Sequence, residues 1–276
     1  VLNAGERKVS AFSYLQRKVK HRAGRDSGLE FQRVPTFEAL PVKTVSMPAP
    51  FSVLLPGLAQ TTDADRVDAE WLDGLADSLS EHGWLSVDAR PLLGDSLLAA
   101  LCEEVRTLDR NDALRVARIG RGLDKTRDRS VRRDRIAWLQ GETGAQRALF
   151  SYFETIQTGL NQRLFLGLKW FEAHYATYHS GDFYRKHVDS FQGRASRVVS
   201  VMLYLNKHWQ EADGGALQVY NPDRELEICG RVVPELGRMA VFLSEEIPHE
   251  VLPAHRTRYS VACWFRQDEI PLPLPL

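Results

Sequence analysis

The run "RVVSVMLYLN", residues 197–206, is short, rich in β-branched and aromatic side chains, and closed by an asparagine. That composition fits a pleated, buried surface, so the run reads as a strand. It has company. "LKWFEAHYATY" (168–178), "GALQVY" (215–220), "RMAVFLS" (238–244) and "RYSVACWF" (258–265) share its character and are bounded by Gly, Pro, Asn or Asp. Many short strands preceded by helical segments predict an α+β chain that is mainly β: a double-stranded β-helix (jelly roll) core with N-terminal helices packed outside.

Upstream the period changes. In "DADRVDAEWLDGLADSLSEH" (63–82) apolar Val67, Trp71, Leu75 and Leu79 recur at helical spacing, with acidic residues near the start and Gly83 as the stop. A second helix is expected over Asp95 to Leu108 and a third over Ala145 to Leu166, the latter with a Leu149, Phe153, Ile156, Leu160, Leu164 stripe. Such stripes are core faces before they are cofactor sites. The predicted organisation is a basic, mobile segment over 1–62, the helices and double-stranded β-helix core over 63–268, and an extended Pro/Leu tail over 269–276. Residues before Met47 are read either as a dispensable leader or as a short basic arm.

Composition narrows the function classes. Lys+Arg and Asp+Glu both number 36, so no global field draws the chain to nucleic acid or to a membrane surface. Cys102, Cys229 and Cys263 form no CxxC pair, which argues against a disulfide framework and a thiolate zinc site. With no apolar run of membrane-spanning length and no signal-peptide order, the expectation is a soluble, cytoplasmic monomer with no nucleic-acid or membrane partner.

The chemistry centres on "DFYRKHVDSF" (182–191). If this run is extended, His187 and Asp189 share a face, because side chains two apart on a strand point the same way. Two histidines and one carboxylate on one triangular face, with open positions opposite, make a non-haem Fe(II) oxygenase site. His249, in "EIPHEV", is the candidate second histidine, 60 residues (249 − 189) after Asp189. Nine residues further (258 − 249), Arg258 is placed to reach the barrel interior and clamp a carboxylate bidentately. Taken singly, each has a plainer reading: a surface His–Asp pair, a loop histidine, an edge-strand arginine.

The runs "TYHSGDFYRKHVDSF", "SRVVSVMLYLNKHWQEADGGALQVY" and "PHEVLPAHRTRYSVACWF" together resemble the 2-oxoglutarate- and Fe(II)-dependent prolyl hydroxylases of the HIF-type, oxygen-sensing branch and their bacterial relatives, over about Trp71 to Phe265. The resemblance implies Fe(II) held by His187, Asp189 and His249, with 2-oxoglutarate and O2 as cosubstrates and ascorbate as a further candidate. It places Arg258 and Tyr204 on the distal carboxylate of 2-oxoglutarate and Tyr178 near its chelating end. Met202, Leu217, Val251 and Trp264 would wall the pocket. Asp134 and Arg197 match a substrate-side polar pair, and Trp138 is assigned beneath a substrate-covering loop spanning the arginine-crowded 118–143. The implied reaction is hydroxylation of a prolyl residue in an exposed loop of a protein, with a translation elongation factor of the Tu type as the bacterial precedent, coupled to conversion of 2-oxoglutarate to succinate and CO2.

Other classes stay open on sequence. The same oxygenase site could serve a free amino acid or other small molecule. The barrel could be a non-catalytic binding module, although that use has no need of His187, Asp189, His249, Arg258 and Tyr204 together. A zinc hydrolase could take two histidines and an aspartate, but would not need Arg258 and Tyr204 inside the barrel.

Overall fold

Strands β4 (Trp170–Tyr178), β6 (Arg197–Tyr204) and β11 (Arg258–Arg266) form the centre of a seven-stranded antiparallel sheet in a computed structural model that describes residues 69–117, 128–190, 197–224 and 226–267. β11 pairs on one side with β4, Arg258 opposite Tyr178, and on the other with β6, Ser260 opposite Tyr204. These three are buried almost end to end, because both faces of the sheet are covered. The full order is β1-β9-β6-β11-β4-β3-β2, where β1 is Trp84–Asp88, β2 Arg115–Val116, β3 Arg135–Trp138 and β9 Arg238–Leu243. A second sheet, β5-β10-β7-β8, consists of β5 (Tyr184–His187), β10 (His249–Val251), β7 (Leu217–Tyr220) and β8 (Ile228–Val232). Two antiparallel sheets with helices packed outside are the expected double-stranded β-helix arrangement.

Among the described residues, three helices cover the outer face of the larger sheet. Helix α1 (Ala69–His82) buries Leu72, Leu75, Ala76 and Leu79. The buried face is thus centred on Leu72, and Trp71, named in the expected stripe, lies at its half-buried margin. Each fully buried leucine contributes about 1.5–3 kcal/mol. Gly83 ends the helix at φ +75°, donating its N–H to Leu79 O at 3.1 Å.

Helix α2 (Arg90–Arg110) has a kink at Gly94 (φ 73°, ψ 153°), so regular helix resumes at Asp95, where the sequence predicts a start. Helix α3 (Gly144–Leu164) is capped by Thr143, whose Oγ accepts from Gln146 N at 3.1 Å, and buries the whole predicted stripe. Gly159 allows α3 to approach α1 closely, since a Cβ there would meet the Leu72 side chain at 2.7 Å.

Several expectations need adjustment or fall elsewhere. The segments 1–62 and 269–276, and the first residues of the predicted 63–82 helix, lie outside the described residues. So does 118–127 of the proposed covering loop. The rest of that loop is not free: Arg135–Trp138 pairs with β4, and residues 131–133 run alongside Phe183 to Arg185 through Arg133 N to Phe183 O and Arg185 N to Val131 O. Strands β1, β8 and β10 are too short or too broken by Gly and Pro for periodicity to mark them. Cys102, Cys229 and Cys263 are free. Among the described residues no helix is long and apolar enough to cross a membrane.

Candidate active site

His187 ends β5 and His249 begins β10, and the two face each other across the strand pair. Their ring centroids are 4.3 Å apart. Asp189 joins them by a different route from the one expected: β5 stops at His187 and Asp189 stands in a bend, so convergence does not come from a continuing strand. The bend carries the chain from the smaller sheet towards the larger one. There Ser200 Oγ of β6 donates to Asp189 Oδ2 at 2.6 Å, and Trp264 Nε1 of β11 donates to the same oxygen at 2.9 Å. The other oxygen, Oδ1, lies 3.5 Å from His187 Nε2 and 3.8 Å from His249 Nε2. The three ligand atoms fall within 4.8 Å of one another, and they make the single His/Cys/Asp/Glu group of this kind among the described residues.

The tautomers follow from the second nitrogens. His187 Nδ1 meets Arg185 O at 2.7 Å and His249 Nδ1 meets Ile247 O at 2.9 Å. A carbonyl can only accept, so each Nδ1 carries hydrogen and each Nε2 presents its lone pair towards the cluster. Burial, reinforced by His187 and opposed by Asp189, pushes His249 down to about 4, so it is neutral at pH 7. Burial alone would raise the Asp189 carboxyl, but His249, His187 and Arg197 outweigh it and hold it below the ordinary carboxylate range. Two imidazoles turned with Nε2 inward and a carboxylate kept anionic form the donor set of a divalent metal, and this 2-His-1-carboxylate composition suits Fe(II).

Arg258 supplies the second half of the site. It is 2% exposed, with Nε donating to Gly215 O at 2.8 Å and Nη1 to Ser260 Oγ at 3.2 Å. No carboxylate pairs with it among the described residues. A buried cation without a counter-charge is costly, so the geometry calls for an anion from outside the chain. Tyr178 and Tyr204 flank it, with their ring centroids 4.9 and 5.0 Å from its guanidinium carbon. The Tyr204 hydroxyl is buried and finds no protein partner of good geometry even beside Arg258. Burial raises its pKa to about 12 against the pull of Arg258, so it stays a neutral donor. A guanidinium and an orphaned hydroxyl on one inner face fit the distal carboxylate of a dicarboxylic acid. Leu217, Val251 and Trp264 are buried on the strands around this space, and Met202 is half-buried.

The remaining predicted residues are arranged differently. Asp134 and Arg197 do not pair with each other. Asp134 is fully buried and accepts a two-point contact from Arg132, at 2.7 and 2.6 Å. Arg197 pairs with Glu172 at 2.7 Å and lies 3.8 Å over the Trp264 ring. The reason is topological: Glu172 on β4 and Arg197 on β6 flank β11 and reach each other across it. Trp138, 47% exposed, meets His174 edge-on at 5.1 Å and forms part of a 360 Å³ depression with Phe150, Trp170 and Phe171, away from the metal-ligand cluster.

Sequence reasoning missed three participants, Arg132, Tyr184 and Ser200. Arg132 lies 4.4 Å over the Tyr184 ring, and Tyr184 stacks on His187 at 3.6 Å. The spacing of Arg132 and Asp134, two apart in an extended run, was the available signal. Ser200 was marked by being a lone hydroxyl within "VVSVM".

A family model described as the 2OG-Fe(II) oxygenase superfamily matches residues 173–266, which contain all three candidate ligands and Arg258. The crystal structure of a Pseudomonas putida prolyl-4-hydroxylase is 38% identical, with a TM-score of 0.63 over 71% of this chain and 99% of that one. Mouse prolyl hydroxylase EGLN3 is 29% identical over 214 residues, 74% of this chain and 87% of the relative. A prolyl hydroxylase from Trichoplax adhaerens, solved with a hypoxia inducible factor oxygen degradation domain peptide fragment, shares the fold at 23% identity and a TM-score of 0.65, over 75% of this chain and 96% of that one.

Proposed function

The chain belongs to the 2OG-Fe(II) oxygenase superfamily and stands close to its prolyl hydroxylases, and on that premise we propose that it hydroxylates a prolyl residue in an exposed loop of a protein substrate, coupled to decarboxylation of 2-oxoglutarate to succinate and CO2. Fe(II), 2-oxoglutarate and O2 are the family's cofactor and cosubstrates. The observation that carries the reading is the conjunction of the three-ligand cluster with a buried, uncompensated Arg258 and an orphaned Tyr204 hydroxyl within one barrel. A translation elongation factor of the Tu type is our candidate substrate, on the resemblance to the bacterial branch.

In this reading His187, Asp189 and His249 hold the iron, which when loaded supplies the oxygen-activating chemistry. The chain's own work is positioning. Arg258 and Tyr204 fix the distal carboxylate of 2-oxoglutarate, which orients the opposite, chelating end towards the ligands. Ser200 and Trp264 hold Asp189 so that one oxygen faces the metal position. Leu217, Val251, Met202 and Trp264 exclude water from the space between. Tyr178, whose ring packs against Arg258, reaches towards the chelating end of the cosubstrate.

The test begins with anaerobic titration of the full chain with Fe(II) and then 2-oxoglutarate, followed through the weak visible band of bidentate chelation. A band that depends on Asp189 and Arg258 supports the oxygenase site. A gain of one oxygen on a proline of the elongation factor, read by mass spectrometry, then supports the substrate. Iron binding without the band would move the reading to a binding module.

A further inference from the structure

Trp264 stands at the centre of a row that crosses the larger sheet. In register, Ser200 of β6 lies opposite it on one side and Glu172 of β4 on the other. Directly opposed residues point to the same face, so Ser200, Trp264 and Glu172 share the face that meets Asp189. Arg197, opposite Arg266, enters from two residues beyond Trp264, and His174, opposite Ala262, from two residues before it. The indole is bracketed between them: the Arg197 guanidinium carbon lies 3.8 Å from the ring centroid, and the His174 ring 5.1 Å away at a tilt of 59°.

The guanidinium is itself tied down. Glu172 Oε1 accepts from Arg197 Nε at 2.8 Å, with Nη2 at 2.7 Å, and takes a further bond from Arg266 Nη1 at 2.7 Å. Burial works against the Glu172 carboxylate, but Arg197 and Arg266 outweigh it and hold its pKa below the ordinary range. The ion pair thus runs from β6 to β4 over the strand between them, across the face of the indole. Trp264 Nε1 donates to Asp189 Oδ2 at 2.9 Å, a bond that survives in only one setting of the indole's two side-chain torsions. A cation over an indole contributes about 0.5–2 kcal/mol, and here it favours the setting in which that N–H meets the carboxylate.

We propose that the Glu172–Arg197 pair is a strap that positions Trp264 and, through it, the carboxylate of Asp189. Glu172 and Arg197 are positioning residues for the metal centre and lie outside its three-ligand group. The inference rests on the metal-site reading above and names what holds the residue that holds Asp189. Charge alone predicts something else. Arg197 repels a divalent cation and Glu172 attracts it, so neutralising the first should tighten metal binding and neutralising the second should loosen it. A strap predicts loosening from both.

Anaerobic titration of the full chain with Co(II), followed through its visible d–d bands, reads both affinity and ligand geometry. Arg197→Gln and Glu172→Gln should each weaken Co(II) binding about tenfold and shift the bands in the same direction. Arg197→Lys, which keeps the cation without the planar fork, should lose about threefold or less. In a Trp264→Phe chain, which keeps an aromatic ring but has no N–H for Asp189, Arg197→Gln should change affinity by less than about twofold further. Arg197→Gln leaves Glu172 paired with Arg266, so this variant should fold, as circular dichroism checks, and it carries the test even if Glu172→Gln does not fold. Unchanged or tighter binding by Arg197→Gln, or a loss undiminished in the Trp264→Phe chain, overturns the proposal. An unsubstituted chain that takes up no Co(II), or an Asp189→Ala variant that binds it equally well, defeats the metal-site reading itself. Metal bound through Asp189 but indifferent to Arg197 defeats the strap alone.

Discussion

Ser200 Oγ donates its one proton to Asp189 Oδ2 at 2.6 Å, which obliges Ser244, 2.8 Å away, to act as donor to Ser200. With Trp264 on the same carboxylate oxygen, the side chain of Asp189 is fixed from the larger sheet while both histidines come from the smaller one. The metal cluster therefore spans the two sheets, and its anionic ligand is oriented by residues that do not themselves reach the metal position.

Removing that hydroxyl should loosen the ligand without removing it. Ser200→Ala is expected to weaken Fe(II) affinity by about 10–100-fold, the usual cost of losing an orienting partner. Anaerobic metal titration reads it directly, with circular dichroism as the control for folding. Affinity equal to that of the unsubstituted chain would mean that Trp264 alone fixes the carboxylate.

Arg258 should govern the cosubstrate and not the metal. Arg258→Ala removes the buried charge that faces the distal carboxylate, and losses of this kind are about 3 kcal/mol, on the order of 100-fold in 2-oxoglutarate affinity. The visible chelation band should then need that much more 2-oxoglutarate, at unchanged Fe(II) affinity. A parallel loss of iron would show that Arg258 supports the ligands themselves.

How far the sequence shows this depends on the kind of contact. The ligand set was legible because His187, Asp189 and His249 are chemically rare in their setting, and helix α3 because its stripe is periodic and capped. The path to the ligands was not: a strand through Asp189 satisfies the spacing, but the bend is imposed by Ser200 and Trp264, which lie on other strands. Partner choice was equally hidden. Arg197 finds Glu172 because β4 and β6 both flank β11, a fact of sheet order that no local pattern carries.

Acid should destabilise the fold through His174. Burial, followed by the Arg132 charge and opposed by Asp134, pushes it down to about 4 from an ordinary 6.5. The unfolded chain then binds more protons than the folded one between those values, so stability rises with pH across that window. It is complete above about 6.5 and lost as pH falls towards 4, by about 3 kcal/mol for this group. His174→Leu should flatten that limb of a urea-unfolding series from pH 7 to 4, and an unaltered slope would assign the acid sensitivity to other groups.

The Arg132–Asp134 pair should matter more to stability than its surface counterparts. Asp134 is fully buried and Arg132 is 15% exposed, whereas Arg110–Glu103 is open on both sides. An exposed pair contributes about 0–1 kcal/mol, but removing one partner of a buried pair strands the other, at about 3–5 kcal/mol. Asp134→Ala should therefore lower Tm by roughly 10 °C, Glu103→Ala by about 2 °C or less. Because the loss comes from the stranded charge, Asp134→Ala combined with Arg132→Met should recover most of the Tm. The Arg132 guanidinium also covers Tyr184, which stacks on His187, so the double variant should fold well yet hold metal less tightly. A double variant no more stable than Asp134→Ala alone would mean that Asp134 acts through contacts other than Arg132.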